Sequence, residues 1–220
     1  MALFLSEKDV EELLTMPLVI EAVEAAHREL SSGQACDVPR QRTRLPQTTL
    51  HVLQGALPGL DAIGYKAYTS NRSGVRFLVY LYSASTGRLR AVVEADRLGM
   101  MRTGAASAVA TRWLARPDAQ VAGVFGAGWQ AEGHIEAIAA VCPLRRVKVY
   151  ARRSERLLAF CARLSERLGI EVAAAASPED VVRGSDIVST VTTSATPLFD
   201  ADWLSPGTHI NAAGSNSLIR

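Results

Sequence analysis

The segment Val124-Phe125-Gly126-Ala127-Gly128-Trp129-Gln130-Ala131 constrains the fold more than any other part of the sequence. It reads Gly-x-Gly-x-x-Ala between a β-branched run and a helical pattern. The first glycine permits a tight turn, the second lets a pyrophosphate approach the backbone, and the alanine keeps strand and helix close. A helix beginning there offers free amides and the positive end of its dipole to phosphate. Two glycines before a helix also occur in ordinary turns, so the surroundings decide. Strands are expected near 121–125, 146–151, 170–175, 186–191 and 208–213, with helices between them at about 129–141, 154–168 and 178–183. Alternation at this spacing implies a doubly wound parallel sheet, a Rossmann domain, over residues 116–220.

Cofactor choice is read where the second of these strands ends, at Tyr150-Ala151-Arg152-Arg153. Asp or Glu at that place would bind the 2′-hydroxyl of an NAD ribose. Two arginines instead suit a 2′-phosphate, which a guanidinium grips with two parallel hydrogen bonds. The alternative is a pair of solvated surface charges. We expect NADP(H) to be preferred, with NAD(H) possible, held by Gly126, Ala127, Gly128, Trp129, Gln130, Ala131, Ala151, Arg152 and Arg153.

Residues 1–115 have another rhythm and read as an α+β domain. Ser6 with Asp9 resembles a capping box for a short helix, and a second helix should follow Pro17 and stop near Gly33. From Pro39 to about Asp96 the pattern turns to strands, including Leu50–Leu53, Ile63–Tyr68 and a hairpin turning at Ser85-Thr86-Gly87. Asp96 to Leu114 is expected to be a helix dense in alanine, with Asp96 as its N-cap. Arg116-Pro117-Asp118 marks the boundary. His51 and His209 read as structural histidines, Trp129 as packing beside the glycine turn, and Trp203 as packing against the last strand.

A net charge of +2 gives no global reason to expect nucleic acid or a membrane surface as partner. Cys36, Cys142 and Cys161 are far apart and odd in number, which argues against a disulfide framework or a metal site and for a reducing compartment. With no apolar run of 18 residues and no basic segment before the first apolar stretch, a cytoplasmic protein is expected.

Several segments together resemble the ornithine cyclodeaminase/μ-crystallin family. They are Arg42-Thr43, Gly64-Tyr65-Lys66, Arg102-Thr103-Gly104-Ala105-Ala106-Ser107, Leu114-Ala115-Arg116-Pro117, the glycine segment, and Trp203-Leu204-Ser205-Pro206-Gly207-Thr208-His209-Ile210-Asn211-Ala212-Ala213-Gly214. The resemblance implies a substrate-binding, dimer-forming first domain and hydride transfer next to the carboxylate of a small α-imino or α-amino acid. It implies that Arg42, Lys66 and Arg102 hold the substrate carboxylate, and that Thr103, Val191, Thr192 and Thr193 lie near the cofactor. A planar guanidinium suits a carboxylate that must present one face of its neighbouring carbon to a nicotinamide. The readings kept beside reductase and dehydrogenase are a cyclodeaminase with recycled NAD and a non-catalytic, crystallin-like NADP(H)-binding protein. Cyclodeaminases of the family place an aspartate after the last strand, where this chain has Asn216, and family members continue beyond the point matching Arg220. A Rossmann domain incomplete at its C-terminal end is therefore expected.

Overall fold

The computed structural model describes residues 1–71, 74–152 and 154–214; Arg153 and Asn216, singled out above, lie outside them. Backbone contacts gather into two units, Met1–Gly99 and Met100–Arg220.

The first unit runs β1 (Leu3–Leu5), α1 (Glu7–Leu13), α2 (Met16–Ser31), β2 (Cys36–Arg44), β3 (Thr49–Leu57), β4 (Ala62–Asn71), β5 (Gly74–Ser83) and β6 (Leu89–Glu94). The expected capping box is present: the Ser6 side chain accepts the Asp9 amide and the Asp9 carboxylate accepts the Ser6 amide. The strands form one sheet in the order β1-β6-β5-β4-β3-β2, antiparallel except that β1 runs parallel to β6. β2 begins before Pro39, the point from which strands were expected. Pro39 is tolerated because β2 is an edge strand whose register shifts between Val38 and Gln41. One sheet face carries Val79, Leu81, Ala91 and Val93, which pack with Val10 of α1 and with Leu14. The opposite face carries Tyr65, Tyr80 and Tyr82, with the Tyr65 and Tyr80 rings stacked 4.7 Å apart.

Helix α3 (Asp96–Leu114) runs from the first unit into the second. Asp96, expected from the sequence to be its N-cap, is instead its first residue, and its carboxylate accepts the Phe77 amide at 2.9 Å. The cap comes from Glu7, whose carboxylate accepts the amides of Asp96 and Arg97. An acidic group there meets the unpaired amides and the positive helix end together.

In the second unit follow β7 (Val121–Phe125), α4 (Trp129–Ala139), β8 (Arg146–Tyr150), α5 (Ser154–Leu168), β9 (Glu171–Ala174), α6 (Pro178–Val182), β10 (Ile187–Thr190) and β11 (His209–Ala212). They form a parallel sheet ordered β11-β10-β7-β8-β9. Alternate strand residues Val124, Val147, Val149 and Ile187 bury against Ile135 and Ile138 of α4 and Leu157 and Leu164 of α5. Trp203 joins a second cluster with Phe125, Val181, Val182 and Val188. Two polar devices hold the layers. The buried Glu132 carboxylate on α4 takes two hydrogen bonds from Arg163, at 2.9 and 2.8 Å, and one from Arg167 at 2.6 Å. These bonds, Arg163 foremost, hold it below the usual carboxylate range. Asp186 accepts the Gln120 and Val121 amides at 2.8 and 2.9 Å and pairs with Arg116, pinning the entry to β7 beside β10. Burial alone would raise the Asp186 pKa, and these donors outweigh it.

Candidate functional site

In the second unit, strand order reverses between β7 and β10, the place where open α/β sheets leave a crevice for a ligand. The glycine segment sits at that point. Gly126 adopts φ +114°, a conformation costly for any residue with a Cβ, and its amide donates to the Tyr150 carbonyl at 2.8 Å. That bond draws the end of β8, with half-buried Ala151 and exposed Arg152, beside the turn. A Cβ on Gly126 would also lie 2.8 Å from the Val191 carbonyl oxygen. Gly128 is the N-cap of α4; no side chain caps the helix, and a Cβ there would meet nothing within 4 Å. Open space therefore faces the first turn of α4, as a pyrophosphate requires. Trp129 and Gln130 are exposed at this mouth, and Ala131 is buried, where it keeps α4 on the sheet. Trp129, expected to pack beside the turn, is 51% exposed.

Val191, Thr192 and Thr193 follow β10. The Val191 amide donates to the Phe125 carbonyl at 2.9 Å, and Thr192 Oγ1 accepts the Ser194 amide at 3.1 Å. Thr193 is exposed. Arg102, exposed, and Thr103, half-buried, sit on α3 immediately before Gly104. There α3 crosses α4 with backbones in contact: a Cβ on Gly104 would lie 2.2 Å from the Gly133 carbonyl oxygen. The helix that carries Arg102 and Thr103 is thus registered on the helix that begins at Gly128. These residues fit a dinucleotide.

The first unit supplies a cationic sheet face. Arg42 on β2 is paired in register with His51, His51 with Tyr68, and Tyr68 with Phe77, so one row crosses four strands. Lys66, two residues before Tyr68, shares that face. Its Nζ lies 5.1 Å from the Phe77 ring centre and 5.6 Å from that of Tyr68, a cation–π seat that holds the ammonium. Arg42 is exposed and Lys66 half-buried. Two strand spacings of about 4.8 Å and an offset of two residues along the strand separate their backbones, which two long side chains can bridge to meet one anion. Tyr68 and Phe77 were not singled out from the sequence. Alternation with Lys66 is the signal for Tyr68, but Phe77 needs the β4–β5 register.

The ornithine cyclodeaminase/mu-crystallin family matches residues 1–218. The chain belongs to that family. It is 34% identical to a Δ1-pyrroline-2-carboxylate reductase of Bacillus cereus over 224 residues, 97% of this chain and 68% of that protein. Among solved structures it superposes with TM-score 0.88 on the Thermococcus litoralis Δ1-pyrroline-2-carboxylate reductase in complex with NADH and L-proline, at 32% identity, covering 94% of this chain and 67% of the other. An archaeal alanine dehydrogenase dimer with bound NAD gives TM-score 0.89 at 32% identity, covering 96% and 67%. The chain spans 63% to 71% of the length of the curated relatives it matches.

Proposed function

We propose that the protein is an NADP(H)-dependent oxidoreductase on C–N bonds, reducing a small α-imino acid or oxidising the matching α-amino acid at the carbon next to the carboxylate. The observation that carries the reading is the sheet face that presents both Arg42 and Lys66, in a chain that also builds an open glycine turn for a dinucleotide. The nicotinamide, when bound, supplies or accepts the hydride. Arg42 and Arg102 hold the carboxylate, and Lys66 orients the imine and passes a proton to its nitrogen. Thr103 and residues 191–193 border the cofactor.

The preference for NADP(H) rests on Arg152, beside the turn with no carboxylate at Tyr150-Ala151-Arg152; Arg153, outside the described residues, would add to it. The solved relatives named above carry NAD or NADH, so NAD(H) remains a usable second cofactor. We further propose a homodimer through the Tyr65–Tyr80–Tyr82 face, where Phe4 and Ile63 are also exposed. A cytoplasmic setting suits the three free cysteines; no helix among the described residues is long and apolar enough to cross a membrane.

The test is a panel of cyclic and open-chain α-imino acids with NADPH or NADH, and of α-amino acids with the oxidised cofactors, followed at 340 nm. Turnover of at least one imino acid, faster with NADPH, is expected. Cofactor binding without turnover of any member would favour the crystallin-like reading.

A further inference from the structure

His51 stands in the middle of the cationic row, between Arg42 and Tyr68. Its ring stacks on Tyr68 with centres 4.4 Å apart and planes 3° from parallel. Nε2 lies 2.9 Å from Ser70 Oγ. Nδ1 is buried and has no hydrogen-bond partner among the described residues, and the same holds for Nε of neighbouring Arg40. Buried polar nitrogens without partners are costly, and an unpartnered ring nitrogen near several arginines suits an acceptor carrying negative charge.

The charged groups acting on the imidazole are Arg42, Arg40 and Arg44 of β2, and Lys66 of β4 stands beyond it over the Tyr68 and Phe77 rings. Burial first, then Arg42, Arg40 and Arg44, press the His51 pKa below its ordinary value, so the ring is neutral near pH 7. A neutral ring still donates from one nitrogen. When Ser70 Oγ–H donates to Nε2, the ring hydrogen resides on Nδ1.

We propose that His51 is a further carboxylate-binding residue, donating from Nδ1 to the same substrate carboxylate that Arg42 receives, while Ser70 Oγ holds Nε2. This rests on the imino-acid reading above and adds to it a ligand that the family resemblance did not name. Stacking on Tyr68 removes the ring's rotational freedom, so the donor is in place before the anion arrives.

Two variants separate the donor from the packing. His51→Asn keeps an N–H near the place of Nδ1, whereas His51→Gln keeps one near Nε2 and loses the other. The probe is pyrrole-2-carboxylate, a flat and unreactive α-carboxylate, titrated calorimetrically into the protein with saturating NADP+. Expected is about a tenfold weaker dissociation constant for His51→Gln, near wild-type affinity for His51→Asn, and unchanged NADPH binding in both. In turnover the same pattern should fall on KM and not on kcat. Equal losses in the two variants, unchanged affinity in His51→Gln, or no probe binding by the wild type would overturn the assignment. Probe binding with that variant pattern, but no turnover of any imino acid, would instead sink the reductase reading and leave His51 an anion ligand.

Discussion

Gly104 and Gly133 meet backbone to backbone: a Cβ on either would overlap an atom of the facing segment at 2.2 Å. For Gly104 that atom is a carbonyl oxygen, which cannot swing aside; for Gly133 it is the movable Met100 sulfur. Gly104→Ala should therefore cost about 1–3 kcal/mol of stability, visible as a lower thermal midpoint. Gly128→Ala should leave the midpoint unchanged, since nothing lies within 4 Å, yet weaken NADPH at least about tenfold by intruding on the pyrophosphate. Equal midpoints for Gly104→Ala and wild type would contradict the crossing.

Cofactor preference is tested at the end of β8. Replacing Arg152 and Arg153 together with alanine should weaken NADPH by roughly 10- to 150-fold, the worth of a charge-assisted pair of 1.5–3 kcal/mol, and NADH far less. Calorimetric titration showing equal losses for the two cofactors would remove the preference.

Arg102→Ala and Lys66→Ala should each lower turnover about 100-fold or more while NADPH still binds, as measured by fluorescence titration. Arg42→Ala should act in the same direction. A Lys66→Ala protein that retains its rate shows that the ammonium over Phe77 neither orients substrate nor moves a proton.

Stability should fall on mild acidification through His134. This wholly buried ring places Nδ1 2.7 Å from the Gln130 carbonyl, and burial presses its pKa below the ordinary 6.5. The unfolded chain then binds the proton that the folded one refuses. Its contribution is full above about pH 6.5 and is lost as pH falls below that, by up to about 1.4 kcal/mol per pH unit. His134→Asn keeps a donor for Gln130 but cannot titrate there. Its denaturation midpoint should vary less than that of wild type between pH 7.5 and 5.5; an identical slope would assign the acid sensitivity elsewhere.

Light scattering should report a dimer at micromolar concentration, and Tyr80→Asp should dissociate it without loss of helical signal. A stable wild-type monomer, or a dimer whose buried surface lies within residues 121–213, would refute the proposed face.

The second unit was almost wholly legible in the sequence, because its parallel strands are short apolar runs and α5 is amphipathic: Val121–Phe125 and Ile187–Thr190 fall within a residue of their expected limits. The first unit was harder. β1 is only three residues, and Pro39 masks β2, whose edge position excuses it. The candidate site divides the same way. Gly126 and Gly128 announce themselves by spacing, whereas the Arg42–His51–Tyr68–Phe77 row exists only once three strand registers are known. The cap of α3 is hidden for a related reason: Glu7, which supplies it, lies 89 residues from Asp96.

The Glu7 contact also orders events during synthesis. The amides it receives belong to Asp96 and Arg97, and among the described residues β1 pairs only with β6, so the first unit cannot close until the chain through Arg97 has left the ribosome. Until then the nascent chain carries Leu3, Phe4 and α1 with no strand to receive them. Contacts this distant in sequence form late and slowly. An N-terminal tag that hinders Leu3–Glu7 should thus lower the yield of folded protein while leaving the affinity of the molecules that do fold unchanged.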